Sequence, residues 1–302
     1  MNIFTQQVGF IGLGKMGNPM CKRLARKNIN LIVYDKEPNT SDQFKKIATI
    51  APNLESLHDC DVVFTMLPDF RSTNEALFSD RGLIRSLKKG SIIINSGTIG
   101  IAETRDIFMN LRNDFNFLDA PVSGGTQGAE SGNLTFMVGG DFTIAKRVET
   151  LLKYMGNTIS LLGDVGKGQA AKLCNNLLLA INMAGACEAF ALAEKLGLDL
   201  KTFDQLVNVS SGRSWVTENN NPVPGINNCS PSTKNYMNGF SSGHLLKDIR
   251  LALKAIPNDC LSLPMLKQAE LAYSKMISTD KDSKFKDMSY LIQHISTTNK
   301  TP

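Results

Sequence analysis

A glycine-rich turn close to the start of the sequence carries its clearest chemical signal. The run GLGKMG occupies residues 12–17, between an apolar segment at 8–11 and a helix-period segment at 19–27. Between a strand and a helix, Gly12 permits a tight turn, Gly14 lets a pyrophosphate approach the backbone, and Gly17 lets the helix pack closely on the strand. Because the helix N-terminus supplies N–H donors for an anion, the turn predicts a dinucleotide-binding site.

An acidic residue stands where such a site needs one. Asp35 ends the sequence VYD, eighteen residues after Gly17. A carboxylate at the end of this strand accepts hydrogen bonds from the adenosine ribose and repels a 2′-phosphate, so its presence favours NAD over NADP. The alternative is a Gly-rich turn with a capping aspartate and no cofactor.

Three further segments end in polar or backbone-exposing residues. Two of them, at 65–68 and 95–98, follow apolar runs. Ligands of doubly wound sheets lie across the carboxyl ends of the strands, so both segments should face the cofactor, although each could be an ordinary turn. The third, DAPVSGGT at 119–126, leads into a glycine-rich turn. There the hydroxyl of Ser123 and the N–H groups of Gly124 and Gly125 could hold a carboxylate; a plain β-turn is the alternative.

A lysine and an asparagine share one face of a long predicted helix. Lys172 and Asn176 are four residues apart, and the residues around the lysine are small or apolar. Such surroundings disfavour the charged form of lysine and would lower its pKa towards values useful for proton transfer. No carboxylate stands four residues away to pair with it. The pattern favours proton transfer over a solvated or salt-bridged lysine. A second lysine, Lys247, directly precedes Asp248.

The elements that must position these residues change in kind along the chain. Short apolar runs at 8–11, 30–34, 62–67, 91–95, 117–118, 136–138 and 158–162 alternate with helix-period segments that include 19–27, 79–88 and 142–154. Strands that alternate with helices predict a parallel sheet covered on both faces. From residue 166 onward only helical periods recur, at 169–196, 200–209, 244–255, 263–277 and 284–294.

The fold class is therefore predicted to be α/β. We expect an N-terminal Rossmann-type domain with a doubly wound parallel sheet at residues 1–165, and an all-α domain at 166–302. The segment 218–235 lacks periodicity and is dense in Asn and Pro. A structureless stretch this long is often functional, and a mobile surface loop is the alternative.

Composition excludes several classes of protein. The 302 residues are 42% hydrophobic and 20% charged, which is typical of a globular chain of about two domains. The net charge of +5 is scattered, so no nucleic-acid partner is expected. The stretch 173–187, which no uncharged stretch exceeds in length, is shorter than the about 20 residues that span a membrane, which indicates a soluble protein.

The cysteines, histidines and N-terminus carry no special signal. Six cysteines without a C-x-x-C motif are typical of free thiols, and the three histidines have no metal-ligand spacing, so no metal is expected. The start MNIFTQQ is too short and too uncharged for a signal or transit peptide.

Taken together, the motifs resemble one family. The segments GFIGLGKMG, DAPVSGG, ESGNLTFMVGG, GKGQAAKLCNN and LLKDIRLAL occur in the order found in the β-hydroxyacid dehydrogenase family. SSGRSW, NPVPG and NYMNGF are similar to its branch that acts on 3-hydroxyisobutyrate. The chain departs from the usual family pattern at Lys15, at Ser72 and in the loop 95–100.

The resemblance implies oxidation of 3-hydroxyisobutyrate to methylmalonate semialdehyde with NAD, a step of valine breakdown. It implies that Lys172 is the general acid/base and that Asn176 lies beside it. The implied substrate-binding residues are Ser123, Gly124, Gly125, Trp215, Phe240 and Asp248. The implied cofactor-binding residues are Gly12, Leu13, Gly14, Lys15, Met16, Gly17, Asp35, Leu67, Pro68, Ser72, Thr98 and Lys247.

The resemblance also implies that the all-α domain at 166–302 is a substrate and dimerisation domain, and that the protein is a homodimer or homotetramer. The implied location is the mitochondrial matrix if the source is a eukaryote and the cytoplasm otherwise. Two other functions compete. One is a reductase of tartronate semialdehyde, glyoxylate or a related short aldehyde acid, for which NADP would be preferred. The other is a cofactor-binding module without catalysis, which predicts loss of the reactive lysine, whereas Lys172 is present.

Overall fold

The computed structural model describes residues 6–111, 113–256 and 261–297 of the chain. They form two compact units; the first ends at Lys172 and the second begins at Leu173. The helix Lys167–Lys195 starts in the first unit, so its first residues pack with the strands. The domain boundary at residue 165 stays a prediction.

The first unit is built on a nine-stranded sheet. Its strands are β1 Gln7–Ile11, β2 Asn30–Tyr34, β3 Thr49–Ile50, β4 Val62–Thr65, β5 Ile92–Asn95, β6 Asn116–Asp119, β7 Val122–Ser123, β8 Leu134–Gly140 and β9 Gly156–Leu161. They lie in the order β3-β2-β1-β4-β5-β6-β8-β7, with β9 paired to β8. Strands β1 to β6 are parallel, β8 is antiparallel to β6 and β7, and β9 is parallel to β8. The Rossmann-type prediction is confirmed, with the correction that the sheet is mixed.

Apolar side chains cover both faces of this sheet. Along a strand, neighbouring side chains point to opposite faces, so Phe10 and Phe64 lie in one buried cluster and Ile11 and Val63 in another. The predicted two-sided burial is confirmed for the described residues. The helices of this unit are α1 Gly17–Ala25, α2 Pro38–Ser41, α3 Phe70–Phe78, α4 Ile101–Asn110, α5 Gly125–Ser131 and α6 Phe142–Met155.

The second unit is helical, and a single β-bridge joins Ser241 to Asp287 within its described part. Helix α7, Lys167–Lys195, is the one described helix that is long and apolar enough to cross a membrane. Core helices share this length and composition, and Met183 and Phe190 of α7 are buried. The helices are α7 Lys167–Lys195, α8 Leu200–Asn208, α9 Trp215–Asn219, α10 Ser242–Lys254, α11 Pro264–Thr279 and α12 Leu291–Thr297.

Two predicted helices are wrong in their bounds. The only helical element that begins and ends within the segment 79–88 is a 3-10 turn, Leu83–Arg85. The α-helix of this region is α3, which begins earlier, directly after Asp69. The Asp69 carboxylate caps it by accepting the Ser72 N–H at 2.8 Å. Likewise 284–294 is divided between two 3-10 turns and α12. In both places an aspartate side chain caps a turn, which a count of apolar periodicity does not detect.

The Asn- and Pro-rich segment 218–235 is a packed loop. Asn221 is fully buried; its side chain donates to the Asp204 carboxylate at 2.8 Å and accepts the Val223 N–H at 2.9 Å. The hydroxyl of Ser232, also buried, donates to the Asn221 carbonyl at 2.7 Å. Residues 218–219 end α9 and residues 231–234 form a 3-10 turn, and the hydrogen bonds of Asn221 and Ser232 hold the irregular part between them.

The described cysteines form no disulfide, as the sequence predicts. Cys21, Cys60, Cys174, Cys187 and Cys229 are free, and burial raises the pKa of the Cys60 thiol to about 12. Among the described residues no group of three His, Cys, Asp or Glu side chains could hold a metal ion. Cys260, and residues 1–5 of the N-terminal segment, lie outside the described residues.

Candidate active site

The glycine-rich turn connects β1 to α1. Gly12 has a φ of +94°, which side chains rarely adopt, and its N–H donates to the Tyr34 carbonyl at 2.9 Å. A Cβ on Gly17 would overlap the Gly12 carbonyl oxygen, whereas a Cβ on Gly14 would meet nothing within 4 Å. The first and third glycines are thus required by the turn itself, and the second has open space beside its backbone.

Asp35 is tied directly to this turn. One carboxylate oxygen accepts the Leu13 N–H at 2.6 Å and the other accepts the Glu37 N–H at 2.9 Å. A carboxylate has about four lone-pair positions, so acceptor capacity is left for ribose hydroxyls. A groove of about 450 Å³ runs beside the turn. Its lining residues are Leu13, Gly14, Lys15, Asn18, Pro19, Lys22 and Glu130.

Four of the implied cofactor contacts follow β4 and β5, which are neighbours in the sheet. Leu67 and Pro68 come after β4, and Ser72 lies in the first turn of α3. Thr98 belongs to the loop after β5, where Gly97 packs so closely on the Leu67 carbonyl oxygen that a side chain would not fit. The two loops are therefore in contact at the carboxyl edge of the sheet.

The implied carboxylate-binding turn connects β7 to α5. Gly124 and Gly125 have φ values of +122° and +61°, both residues are exposed, and Ser123 is half-buried. A Cβ on Gly125 would meet nothing within 4 Å. The backbone at Gly125 is thus open to a ligand, as an anion site requires.

Lys172 is half-buried, on the part of α7 that belongs to the first unit. The start of this helix packs on β8, where Gly168 approaches the Met137 carbonyl too closely for any side chain. Strand β8 also pairs with β7 through Thr135 and Ser123. One strand therefore supports both the helix that carries Lys172 and the turn that begins at Ser123.

In the second unit, Asn176, Lys247 and Asp248 form one cluster. The Asp248 carboxylate is 3% exposed; it accepts the Asn176 Nδ2–H at 2.7 Å and lies 3.0 Å from the Lys247 ammonium. The Asn175 side chain donates to Asn176 Oδ1 at 3.1 Å. Asp248, implied as a substrate ligand, thus holds the side chains of two other implied site residues. Sequence reasoning did not detect this contact.

Trp215 and Phe240 lie in different parts of the second unit. Trp215 is the first residue of α9 and is 54% exposed, and Phe240 is half-buried just before α10. The Phe240 carbonyl accepts the Met288 N–H at 2.8 Å. Their roles as substrate ligands stay predictions.

Asp119 and Gln169, two buried polar residues of the first unit, were not singled out as site residues from the sequence. The buried Asp119 carboxylate accepts the N–H groups of Gly166 and Gln169, each at 2.8 Å. Burial raises the pKa of Asp119, and these two hydrogen bonds oppose the rise. The available signal was a charged residue at the end of an apolar strand, directly before a glycine-rich turn.

Comparison with known families agrees with this architecture. The sequence model described as the NAD binding domain of 6-phosphogluconate dehydrogenase matches residues 7–163. The one described as NAD-binding of NADP-dependent 3-hydroxyisobutyrate dehydrogenase matches residues 166–295. Human mitochondrial 3-hydroxyisobutyrate dehydrogenase is 43% identical over 248 residues, which cover 81% of this chain and 74% of the relative. This chain belongs to the 3-hydroxyisobutyrate dehydrogenase family.

Two other relatives show the range within this family. The NAD-dependent L-serine dehydrogenase of Pseudomonas aeruginosa is 37% identical over 263 residues, or 86% of this chain and 88% of the relative. The structure of Mycobacterium tuberculosis 3-hydroxyisobutyrate dehydrogenase with L-serine has a TM-score of 0.87 at 32% identity, and the match covers 96% of this chain and 99% of that one. As a member of the 3-hydroxyisobutyrate dehydrogenase family, the protein is an NAD(P)-dependent oxidoreductase that acts on the CH–OH group of a hydroxy acid.

Proposed function

We propose that this enzyme oxidises 3-hydroxyisobutyrate to methylmalonate semialdehyde with NAD, as a step of valine breakdown. The observation that carries the proposal is the 43% identity to the human mitochondrial enzyme of that name, together with the SSGRSW, NPVPG and NYMNGF segments. The glycine-rich turn at residues 12–17, the glycine-containing turn at residues 123–125 and the half-buried Lys172, all in the first unit, support the proposal.

The reaction converts a primary alcohol into an aldehyde with loss of one hydride and one proton. Bound NAD supplies the hydride acceptor. Neutral Lys172 takes the hydroxyl proton, because positive charge would otherwise build on the oxygen as the hydride leaves. The Asn176 amide, held by Asp248, orients the hydroxyl. The result is an aldehyde, a reduced coenzyme and a protonated lysine, which later releases its proton to solvent.

In this proposal the carboxylate end of the substrate lies on the β7–α5 turn. The Ser123 hydroxyl and the Gly124 and Gly125 N–H groups hold it, and the alcohol end is left for Lys172. A hydrogen bond to a charged group contributes about 1.5–3 kcal/mol, so the turn is a strong anchor for a small acid.

Selection of NAD rests on Asp35. A 2′-phosphate would approach a carboxylate that already accepts two backbone N–H groups and that has no hydrogen bond from a cationic side chain in the described part of the chain. Ribose hydroxyls, in contrast, donate to it favourably.

L-Serine is a second candidate substrate. A relative at 37% identity is an L-serine dehydrogenase, and the mycobacterial structure contains L-serine. Serine has the same primary alcohol two carbons from a carboxylate, so the same anchors fit. It differs in an ammonium group where 3-hydroxyisobutyrate has a methyl group, and only an acceptor for that ammonium would favour it.

A substrate and cofactor panel tests the proposal. The purified enzyme is assayed with 3-hydroxyisobutyrate, L-serine, 3-hydroxypropionate and glycerate, each with NAD and with NADP, and in reverse with tartronate semialdehyde and glyoxylate. The expected result is the highest kcat/KM for 3-hydroxyisobutyrate with NAD. A higher kcat/KM for serine would establish the second candidate, and NADP-dependent reduction as the dominant activity would establish the reductase.

The proposed function includes an oligomeric state and a location in the cell. We propose a homodimer or homotetramer, because the apolar side chains of Leu178, Leu192 and Leu206 are each more than half exposed on α7 and α8. The small acid and the coenzyme are the only other partners proposed. The proposed location is the mitochondrial matrix in a eukaryote and the cytoplasm otherwise. Light scattering after size exclusion tests the assembly; a monomer at micromolar concentration would contradict it.

A further inference from the structure

Three neighbouring strands of the first unit end in a row of buried polar side chains. Thr65, Asn95 and Asp119 are the last residues of β4, β5 and β6, and they are register partners with no exposed surface. A buried polar group is costly unless it is hydrogen-bonded. The Thr65 hydroxyl donates to Asn95 Oδ1 at 3.0 Å, and Asn95 Nδ2 donates to the Gly97 carbonyl at 3.1 Å. The row therefore extends into the loop after β5.

Gln169 connects this loop to the end of β6. Its side chain is fully buried; Nε2 donates to the Gly97 carbonyl at 2.8 Å, and Oε1 accepts the Ile99 N–H at 3.1 Å. Its backbone N–H donates to Asp119 Oδ2 at 2.8 Å. The side-chain bonds lie on either side of Thr98, so a single residue of α7 holds the whole turn of that loop.

We infer that Gln169 is a positioning residue, which fixes the Thr98 loop against the helical turn that carries Lys172. Lys172 follows Gln169 by three residues on α7, so the two are neighbours on the helix surface. The inference rests on the proposed function, in which the Thr98 loop contacts the coenzyme and Lys172 takes the proton. Hydride and proton transfer then both depend on the distance between the Thr98 loop and Lys172, which Gln169 sets.

The main test is the variant Gln169→Met, which has a similar size and makes neither side-chain bond. With 3-hydroxyisobutyrate and NAD, kcat should fall about 10- to 100-fold, since a misplacement of about 1 Å has that effect on transfer between bound groups. Deuterium on the carbinol carbon should slow the variant more than the wild type, because the transfer step becomes rate-limiting. Binding of ADP-ribose should change little, because the substitution leaves the residues 12–17 turn and Asp35 untouched.

The isotope effect separates positioning from simple destabilisation. A partly unfolded preparation loses activity in proportion to its unfolded fraction, but the isotope effect of the remaining active molecules stays that of the wild type. If Gln169→Met does not fold, Gln169→Asn is measured instead, because it keeps the amide but is too short to reach Gly97 and Ile99 together. The same fall in kcat and rise in isotope effect are expected.

Asn116 offers a matched control. Its side-chain amide also donates to a glycine carbonyl, that of Gly90, at 2.8 Å, but it lies at the opposite end of β6. Asn116→Leu should leave kcat and the isotope effect unchanged. Wild-type kcat and isotope effect in a folded Gln169 variant would overturn the inference and leave the proposed function intact.

Failure of the proposed function has a different signature. If wild-type enzyme does not oxidise 3-hydroxyisobutyrate, the variants are measured with the acid of the panel that it does oxidise, and the same results are expected. Oxidation of no acid in the panel would overturn both the function and the inference.

Discussion

Lys172 is the residue whose replacement should separate proton transfer from coenzyme binding. Lys172→Ala should lower kcat by about 10²–10⁴-fold, the usual contribution of general acid–base catalysis. Lys172→Arg should be almost as inactive, because a guanidinium does not release its proton in the working pH range. The affinity for NAD, measured by fluorescence titration, should stay close to that of the wild type, since neither the glycine turn nor Asp35 contacts this lysine in the proposed site.

Lys195, exposed at the last position of α7, is the control for this experiment. Lys195→Ala makes the same chemical change on the same helix and should leave kcat unchanged. If Lys172→Ala folds, binds NAD and retains a tenth or more of the wild-type kcat, another group takes the proton.

Asp35 is the residue that should decide the choice of coenzyme. The unmodified enzyme should prefer NAD over NADP by tens-fold or more in kcat/KM, because a 2′-phosphate would lie against a carboxylate. Asp35→Arg should erode that preference. Asp35→Asn, which keeps an acceptor for the Leu13 N–H but no charge, should have an intermediate preference. Equal kcat/KM values with both coenzymes in the unmodified enzyme would refute the assignment.

Within the β1–α1 element, two glycines should respond differently to the same substitution. A Cβ at position 17 would overlap the Gly12 carbonyl, so Gly17→Ala should lower the free energy of unfolding by about 1–3 kcal/mol. A Cβ at position 14 meets open space, so Gly14→Ala should change stability by less than about 0.5 kcal/mol. Gly14→Ala should nevertheless weaken NAD binding by about tenfold or more, because the pyrophosphate must approach there.

Urea denaturation and coenzyme titration of both variants test this contrast. Each variant is the other's control, since the chemical change is the same and only the surroundings differ. Normal NAD binding by a folded Gly14→Ala variant would show that the pyrophosphate lies elsewhere.

At the scale of the whole molecule, the second unit depends on the buried carboxylate of Asp287. It accepts the Ser289 N–H at 3.0 Å, the Ser289 hydroxyl at 2.6 Å and the Asn220 Nδ2–H at 3.1 Å. The Asp287 N–H donates to the Tyr236 carbonyl at 2.8 Å. One aspartate therefore joins the end of α9, the segment before α10 and the turn before α12. Burial raises its pKa above the ordinary value of 3.8.

This pKa shift predicts a pH dependence of stability. Between the ordinary pKa and the raised one, the folded state binds a proton that the unfolded state has released. The stabilisation is full below 3.8 and is lost as pH rises through the folded-state pKa. The asparagine of the Asp287→Asn variant does not titrate in this range. The difference in unfolding free energy, wild type minus variant, should therefore be larger at about pH 4 than at about pH 7.

Urea denaturation across this pH range measures the difference. The exposed Asp282 is the control, and the corresponding difference for Asp282→Asn should change less with pH. If the unfolding free energy of the wild type minus that of Asp287→Asn instead increased from acid to neutral pH, the surroundings of Asp287 would stabilise its charged form and lower its pKa.

Sequence by itself determined the features of this protein that are local. The strand–glycine turn–helix unit, with Asp35 at the end of the next strand, was predicted correctly as a Rossmann-type start because the glycines and the strand ends lie within one short stretch of chain. Alternation of apolar runs with helical periods likewise identified the α/β half and the helical half. Apolar residues that recur every two or every 3.6 residues show which face of a strand or helix is buried, and burial of apolar surface is the main driving force of folding.

Only the tertiary structure decided which polar groups meet. Asp119 and Gln169 are 50 residues apart, and Asn176 and Asp248 are 72 apart. Periodicity does not record such pairs, since a hydrogen bond needs the correct distance and direction between two atoms, whatever separates them along the chain. For the same reason the antiparallel β8 and the packing of the 218–235 loop could not be predicted. Both depend on where distant backbone groups find partners, and a buried polar group must have one.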